Sequence, residues 1–95
     1  MDNLLSLTIR FTGFKQVRLE FLRGEEPFEA VDFSFDSNLD TVLIESIDKV
    51  LKKNRITITS FREVRILGEV DQNSSAYRIA QTWIEAVKTF KNIEN

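Results

Sequence analysis

The chain has 95 residues, 42% of them hydrophobic and 29% charged, with a formal net charge of −2. That size fits one domain, residues 1–95, with a core of limited volume. A charge this close to neutral argues against direct binding of nucleic acid, which needs a gathered basic surface to displace counterions.

The sequence contains no His and no Cys. This excludes a Cys or His zinc site, a Cys nucleophile and any His-based triad. It also excludes disulfides, which fits a reducing compartment. No run is long and apolar enough to span a bilayer. The segment Met1–Phe11 alternates apolar and polar residues and carries Arg10, unlike a signal peptide. The expectation is a soluble cytoplasmic protein.

Leu5, Leu7, Ile9 and Phe11 alternate with Ser6, Thr8 and Arg10, the period of a half-buried strand. Thr12-Gly13-Phe14-Lys15 reads as a turn in which Gly13 is free to take positive φ. Val17, Leu19 and Phe21 alternate with Arg18 and Glu20 and complete a hairpin. After Arg23-Gly24-Glu25-Glu26, Pro27 opens a third strand containing Val31, Phe33 and Phe35, and proline there suits an edge. Asp36-Ser37-Asn38 supplies N-cap residues, with Asp40 three positions after Ser37 as a capping-box variant. A helix follows from Leu39 to Lys53, with Lys49, Lys52 and Lys53 complementing its dipole and Asn54 as the C-cap.

Arg55–Phe61 reads as a connector. The apolar positions Val64, Ile66 and Val70 then mark a fourth strand, placed at Val64–Glu69. The turn Asp71-Gln72-Asn73-Ser74-Ser75 leads into a last helix from Ser75 to Lys91, with Ile93-Glu94-Asn95 fraying. The order β-β-β-α-β-α predicts an α/β domain. A right-handed crossover makes the fourth strand parallel to the first. The sheet order is then third, second, first, fourth, with two helices covering a face.

Both helices carry more apolar surface than one sheet contact uses. On a helical wheel Val42, Leu39, Val50, Leu43, Ile47, Leu51 and Ile44 cover roughly 200°, where a stripe of about 100° suffices. Ile79, Phe90, Trp83, Val87, Ala80, Ile84 and Tyr77 do the same on the last helix. The surplus serves either packing between the two helices or contact with a second chain. For the second alternative the candidate interface residues are Val42, Leu43, Ile79, Trp83 and Phe90.

Other chemistry finds little support. Ribonuclease-H-type nucleases also begin β-β-β-α-β, but they need clustered carboxylates for two metal ions. Glu45, Glu69 and Asp71 are candidates, yet the first strand offers only Arg10 among charged residues. Thr12-Gly13 with Lys15 is a possible remnant of a phosphate loop, although one glycine in a hairpin usually marks only the turn. Ser74-Ser75-Ala76-Tyr77 offers either an anion site or a helix cap.

Three stretches resemble the N-terminal half of the bacterial TsaB (YeaZ) proteins. Ile9-Arg10-Phe11-Thr12-Gly13-Phe14, followed by Val17-Arg18-Leu19, lies where that superfamily has an Asp-x-Gly-Thr hairpin. Leu43, Ile47, Val50 and Leu51, then Ile58-Thr59-Ser60-Phe61-Arg62-Glu63-Val64, follow the family's helix, short turn and next strand. Ser75-Ala76-Tyr77-Arg78-Ile79-Ala80, with Ala86-Val87, resembles its Thr-Gly-x-Arg-Ile-Gly helix, where Arg78 and Ile79 match outright. Phe11 stands at the superfamily's metal-facing aspartate. Val70-Asp71-Gln72-Asn73-Ser74 replaces a Gly-Pro-Gly-Ser-Phe loop and holds no glycine.

The resemblance implies a ribonuclease-H-like, actin-like half-domain related to the machinery that makes threonylcarbamoyladenosine on tRNA. In that family this half has no complete ATPase site, and its two helices serve self-association and contact with the catalytic partner. The expectation is a non-enzymatic interaction domain, a scaffold or regulator, without cofactor or metal. It would form a homodimer, or a heterodimer with a TsaD-like protein, through the two helices. The alternative is a degenerate nucleotide-binding or nuclease-like domain of the same fold.

Overall fold

A computed structural model describes residues 4–68, 70–71 and 73–94, with side chains as far as residue 89. The expected meander forms as β1 (Leu5–Gly13), β2 (Gln16–Arg23) and β3 (Glu26–Ser34). Helix α1 spans Leu39–Asn54, a 3₁₀ turn spans Ile58–Ser60, β4 spans Phe61–Gly68, and α2 spans Ser75–Glu94. The sheet order is β3-β2-β1-β4, with β1 antiparallel to β2, β2 antiparallel to β3, and β4 parallel to β1.

Alternation decides which face is covered. Leu5, Leu7, Ile9 and Phe11 of β1 and Val17, Leu19 and Phe21 of β2 are buried. They join Leu39, Leu43, Ile47 and Val50 of α1, Ala80 and Ile84 of α2, and Phe61 in one core. Both helices therefore pack on that face. Each large apolar side chain so buried contributes about 1.5–3 kcal/mol. Phe21 centres an aromatic cluster, 6.5 Å from the Phe28 ring and 6.1 Å from the Phe61 ring.

The opposite face is built for water. Arg10 pairs with Glu20 at 3.1 Å, and Arg18 bridges Glu20 at 3.5 Å and Asp32 at 2.8 Å. This ladder crosses three strands: Arg18 stands directly opposite Asp32, and Glu20 bridges Arg10 and Arg18, which the register sets opposite each other. Among the described residues no helix is long and apolar enough to cross a membrane.

Several local expectations shift. In the first hairpin Gly13 pairs with Gln16, so the tip is Phe14-Lys15, and the left-handed residue is Lys15 at φ 56° rather than Gly13. Two-residue tips commonly place positive φ on a central residue, which fixes the position by register and not by glycine. Asn38 stands at the N-cap of α1 without capping through its side chain; its Oδ1 accepts from the Asp36 N–H instead. At the other end Asn54 stays helical, and its Nδ2 donates to the Val50 carbonyl. Arg55 takes the left-handed position at φ 56°. Its N–H bonds the Lys52 carbonyl, and the Ile56 N–H bonds the Leu51 carbonyl, the pairing of a Schellman motif. Strand β4 starts at Phe61, three residues before the sequence-based boundary, because the turn Ile58–Ser60 ends there. Helix α2 continues through Glu94, past the Lys91 boundary. Asn95 lies outside the described residues.

Candidate protein-interaction site

The core stripe of α1 runs Leu39, Leu43, Ile47 and Val50, one residue per turn or nearly so. The surplus of the apolar arc falls on both sides of it. Val42, on one flank, is half-buried and lies over a depression beside β3 with Val31, Glu29 and Lys53. Ile44, on the other flank, is 51% exposed and faces α2. On α2, Ala80 and Ile84 reach the sheet, while Ile79 and Trp83 stay half-buried toward α1.

Between the helices the chain therefore leaves an apolar groove of about 420 Å³, lined by Leu43, Ile44, Ile79, Thr82, Trp83 and Ala86, with Asp40 and Arg78 as its charged residues. The helices touch, but not along their full length, so helix pairing absorbs only part of each arc. Ala86 and Thr82 are short enough to keep the groove open, and Trp83 supplies its largest apolar wall.

Of the five residues expected at an interface, the groove joins Leu43, Ile79 and Trp83. Leu43 is 1% exposed, so it forms the floor and belongs to the core. Val42 sits on the far flank of α1, away from the other residues. The Phe90 side chain lies outside the described residues. Ile44 joins the groove although it is not among the five expected residues. Its position at the border of the arc is the available signal, since a border residue is the one a sheet contact leaves uncovered.

A second candidate site lies at the ends of β1 and β4, where the first hairpin meets the loop into α2. A cavity of about 340 Å³ does form there, lined by Phe11, Phe14, Phe35, Val70 and Ala76, with Gly13, Lys15, Asp36, Asp71, Ser74 and Ser75 around it. The topology thus brings together the two loops compared above with a phosphate site, but aromatic rings occupy much of the wall. Phe11 is 4% exposed, buried from the helix side. Ser74 Oγ accepts the Tyr77 N–H at 3.2 Å, so it caps α2. Lys15 Nζ bonds Asp36 Oδ1 at 2.8 Å. That hydrogen bond, reinforced by the ammonium charge, holds the Asp36 carboxyl below its ordinary range.

The candidate carboxylates do not converge. Glu45 lies beside the β3 depression, Asp71 lines the strand-end cavity, and Glu69 lies outside the described residues. Among the described residues no three of Asp, Glu, His or Cys come together at a spacing that could hold a metal. Arg10 is on the open face, paired with Glu20.

No family model and no curated protein matches the chain. Among solved structures it is similar to YeaZ from Pseudomonas aeruginosa, with a TM-score of 0.71 over 97% of this chain and 13% sequence identity. The match covers 41% of that protein, so the chain spans about two-fifths of its length. The four-stranded mixed sheet and its two helices are a half-domain of the actin-like, ribonuclease-H-like fold that YeaZ has.

Proposed function

We propose that this chain is a non-enzymatic interaction domain, a scaffold or regulator related to tRNA threonylcarbamoyladenosine biosynthesis. It works by taking an apolar helix of a second chain into the α1–α2 groove. That second chain is another copy, giving a homodimer, or a TsaD-like protein, giving a heterodimer, in the cytoplasm. The observation that carries the reading is the groove itself, with Ile44 half exposed at its rim and Trp83 in its wall. A helix inserted there removes water from apolar surface on both partners, the main favourable term in association. Aromatic side chains in such pockets are where binding energy concentrates. The fold shared with YeaZ supports the assignment to this machinery.

Sedimentation equilibrium of the wild type and Ile44→Glu, each alone and mixed with a TsaD-like protein, tests the reading. Ile44 is exposed enough that a carboxylate there leaves the free fold intact, which circular dichroism checks. In a complex the same carboxylate is buried without a partner. The expected result is a wild-type assembly whose mass drops in Ile44→Glu. Equal masses for the two proteins under both conditions would overturn the reading.

A further inference from the structure

The two edges of the sheet are treated differently by the sequence. Edge strand β3 contains Pro27, which has no N–H to offer, and its charged residues Glu26, Glu29 and Asp32 are all acidic. A second copy laid against that edge meets carboxylates with carboxylates, of which Asp32 is paired with Arg18 at 2.8 Å and Glu29 with Lys53 at 3.3 Å within the chain. Proline and like charge are the devices by which natural sheets prevent edge pairing. Edge strand β4 has neither, and its one irregularity, the extra residue Arg62, lies near its start and leaves Glu63–Gly68 regular. Its sequence is Phe61-Arg62-Glu63-Val64-Arg65-Ile66-Leu67-Gly68, with both signs of charge and no proline. Among the described residues no strand pairs with its outer side.

We propose that β4 pairs antiparallel with β4 of a second copy, about a two-fold axis through Val64, joining two sheets into one of eight strands. Charge fixes the register. A two-fold normal to the sheet keeps each strand's faces, so directly opposed residues share a face. Val64 and Ile66 face the helices, and Glu63, Arg65 and Leu67 face the open side, as their pairing with alternate residues of β1 requires. Centred on Val64, the pairing sets Glu63 opposite Arg65 of the other copy, twice, with Arg62 opposite Ile66 at each end, where the β4 register shifts and Arg62 is an extra residue able to turn aside. Centred on Glu63 or on Arg65, it sets a charge opposite itself. Centred on Ile66, it sets Arg65 opposite Leu67. Of these four registers, the one centred on Val64 opposes unlike charges.

The helix side supports the same pairing. Beside β4, under α2, lies a depression of about 220 Å³ lined by Phe61, Val64, Ile84 and Val87, with Arg62, Glu63 and Lys88 as its charged residues. Val64 and Ile66 are half-buried in the single chain. Adding a strand covers them and meets the outward backbone groups of β4, the two sources of affinity in strand addition. Glu63 and Arg65 already pair at 2.9 Å within the strand while about half exposed, so both are free to turn toward a neighbour. This edge is a different surface from the helix groove, and the two are separable by substitution.

The test uses the Ile44→Glu chain, in which the groove is blocked, and measures dimerisation by sedimentation equilibrium. Adding Arg65→Glu sets Glu opposite Glu in the same register; the expected effect is a dimer at least about ten-fold weaker, with unchanged circular dichroism. Adding Glu63→Arg as well exchanges the two charges and restores complementarity, so the dimer returns. A monomeric Ile44→Glu chain at high micromolar concentration would overturn the proposal. So would an Arg65→Glu chain that dimerises undiminished, or a double exchange that stays dissociated.

Discussion

Phe11 of β1 stands opposite Gly68 of β4 in the parallel register, so close that a Cβ added to Gly68 would lie 2.8 Å from the Phe11 nitrogen and collide with its carbonyl. Gly68 is also at φ 101°, outside the range that side chains accept. The last residue of β4 is therefore pinned against the backbone of β1, just where the chain leaves the sheet for α2. Gly68→Ala should destabilise the fold by about 2 kcal/mol or more, from backbone strain plus the collision. The urea midpoint, with an unchanged slope, reports it. An unshifted midpoint would mean that β4 ends differently.

The cavity at the same strand ends is where the nucleotide-binding alternative is tested. Backbone amides cradle phosphate where glycines allow close approach, and an acidic residue must hold the metal. Here Phe11 and Phe35 line the cavity with Gly13 as its one glycine, Lys15 is paired with Asp36, Asp71 accepts the Asn73 N–H, and Ser74 is engaged as the α2 cap. Calorimetric titration with Mg-ATP should show no binding in the micromolar range. A micromolar dissociation constant would restore the nucleotide-binding alternative.

How far the sequence reveals this fold depends on the range of the forces involved. The period of two in β1, β2 and β3 is a local consequence of one wet and one dry face, so it is legible, and the strand order follows from the short turns between them and the handedness of the crossover to β4. The cap at Arg55 is less so: its left-handed turn is set by where Ile56 must point to meet Leu51, not by the residue's own preference. The helix groove was legible as a surplus of apolar arc. Which border of α1 faces α2 was not, because a wheel has no direction in space until the neighbouring helix is placed. The arc alone therefore gives no reason to prefer Ile44 to Val42. Ser74 and Ser75 offered both a cap and an anion site, and only the Tyr77 N–H geometry decides for the cap.

The Lys15–Asp36 pair ties the first hairpin to the start of the α1 loop, and its pH dependence follows from its sign. Lys15 favours the ionised carboxylate of the folded chain, first by hydrogen bond and then by charge, so the Asp36 pKa falls below 3.8. The pair is then fully present above the unfolded-state pKa and is lost as pH falls through the lower folded value, in the acid range below about pH 4. Both groups are solvated, so salt screens the effect. An NMR titration of the Asp36 carboxyl should give a midpoint below 3.8 that rises in Lys15→Met. An identical midpoint in the two proteins would show that the pair does not persist in solution.

Trp83 is the single tryptophan of the chain and lies in the wall of the helix groove, so its fluorescence reports the occupancy of that groove. Emission and acrylamide quenching measured against protein concentration, and against added TsaD-like protein, test the central claim most directly. Pairing at the β4 edge leaves Trp83 where it is, so that equilibrium does not confuse the signal. The expected result is a saturable blue shift with protection from quencher in at least one titration, abolished by Ile44→Glu. Unchanged emission and quenching of the wild type in both titrations would contradict the claim that the groove receives a second chain.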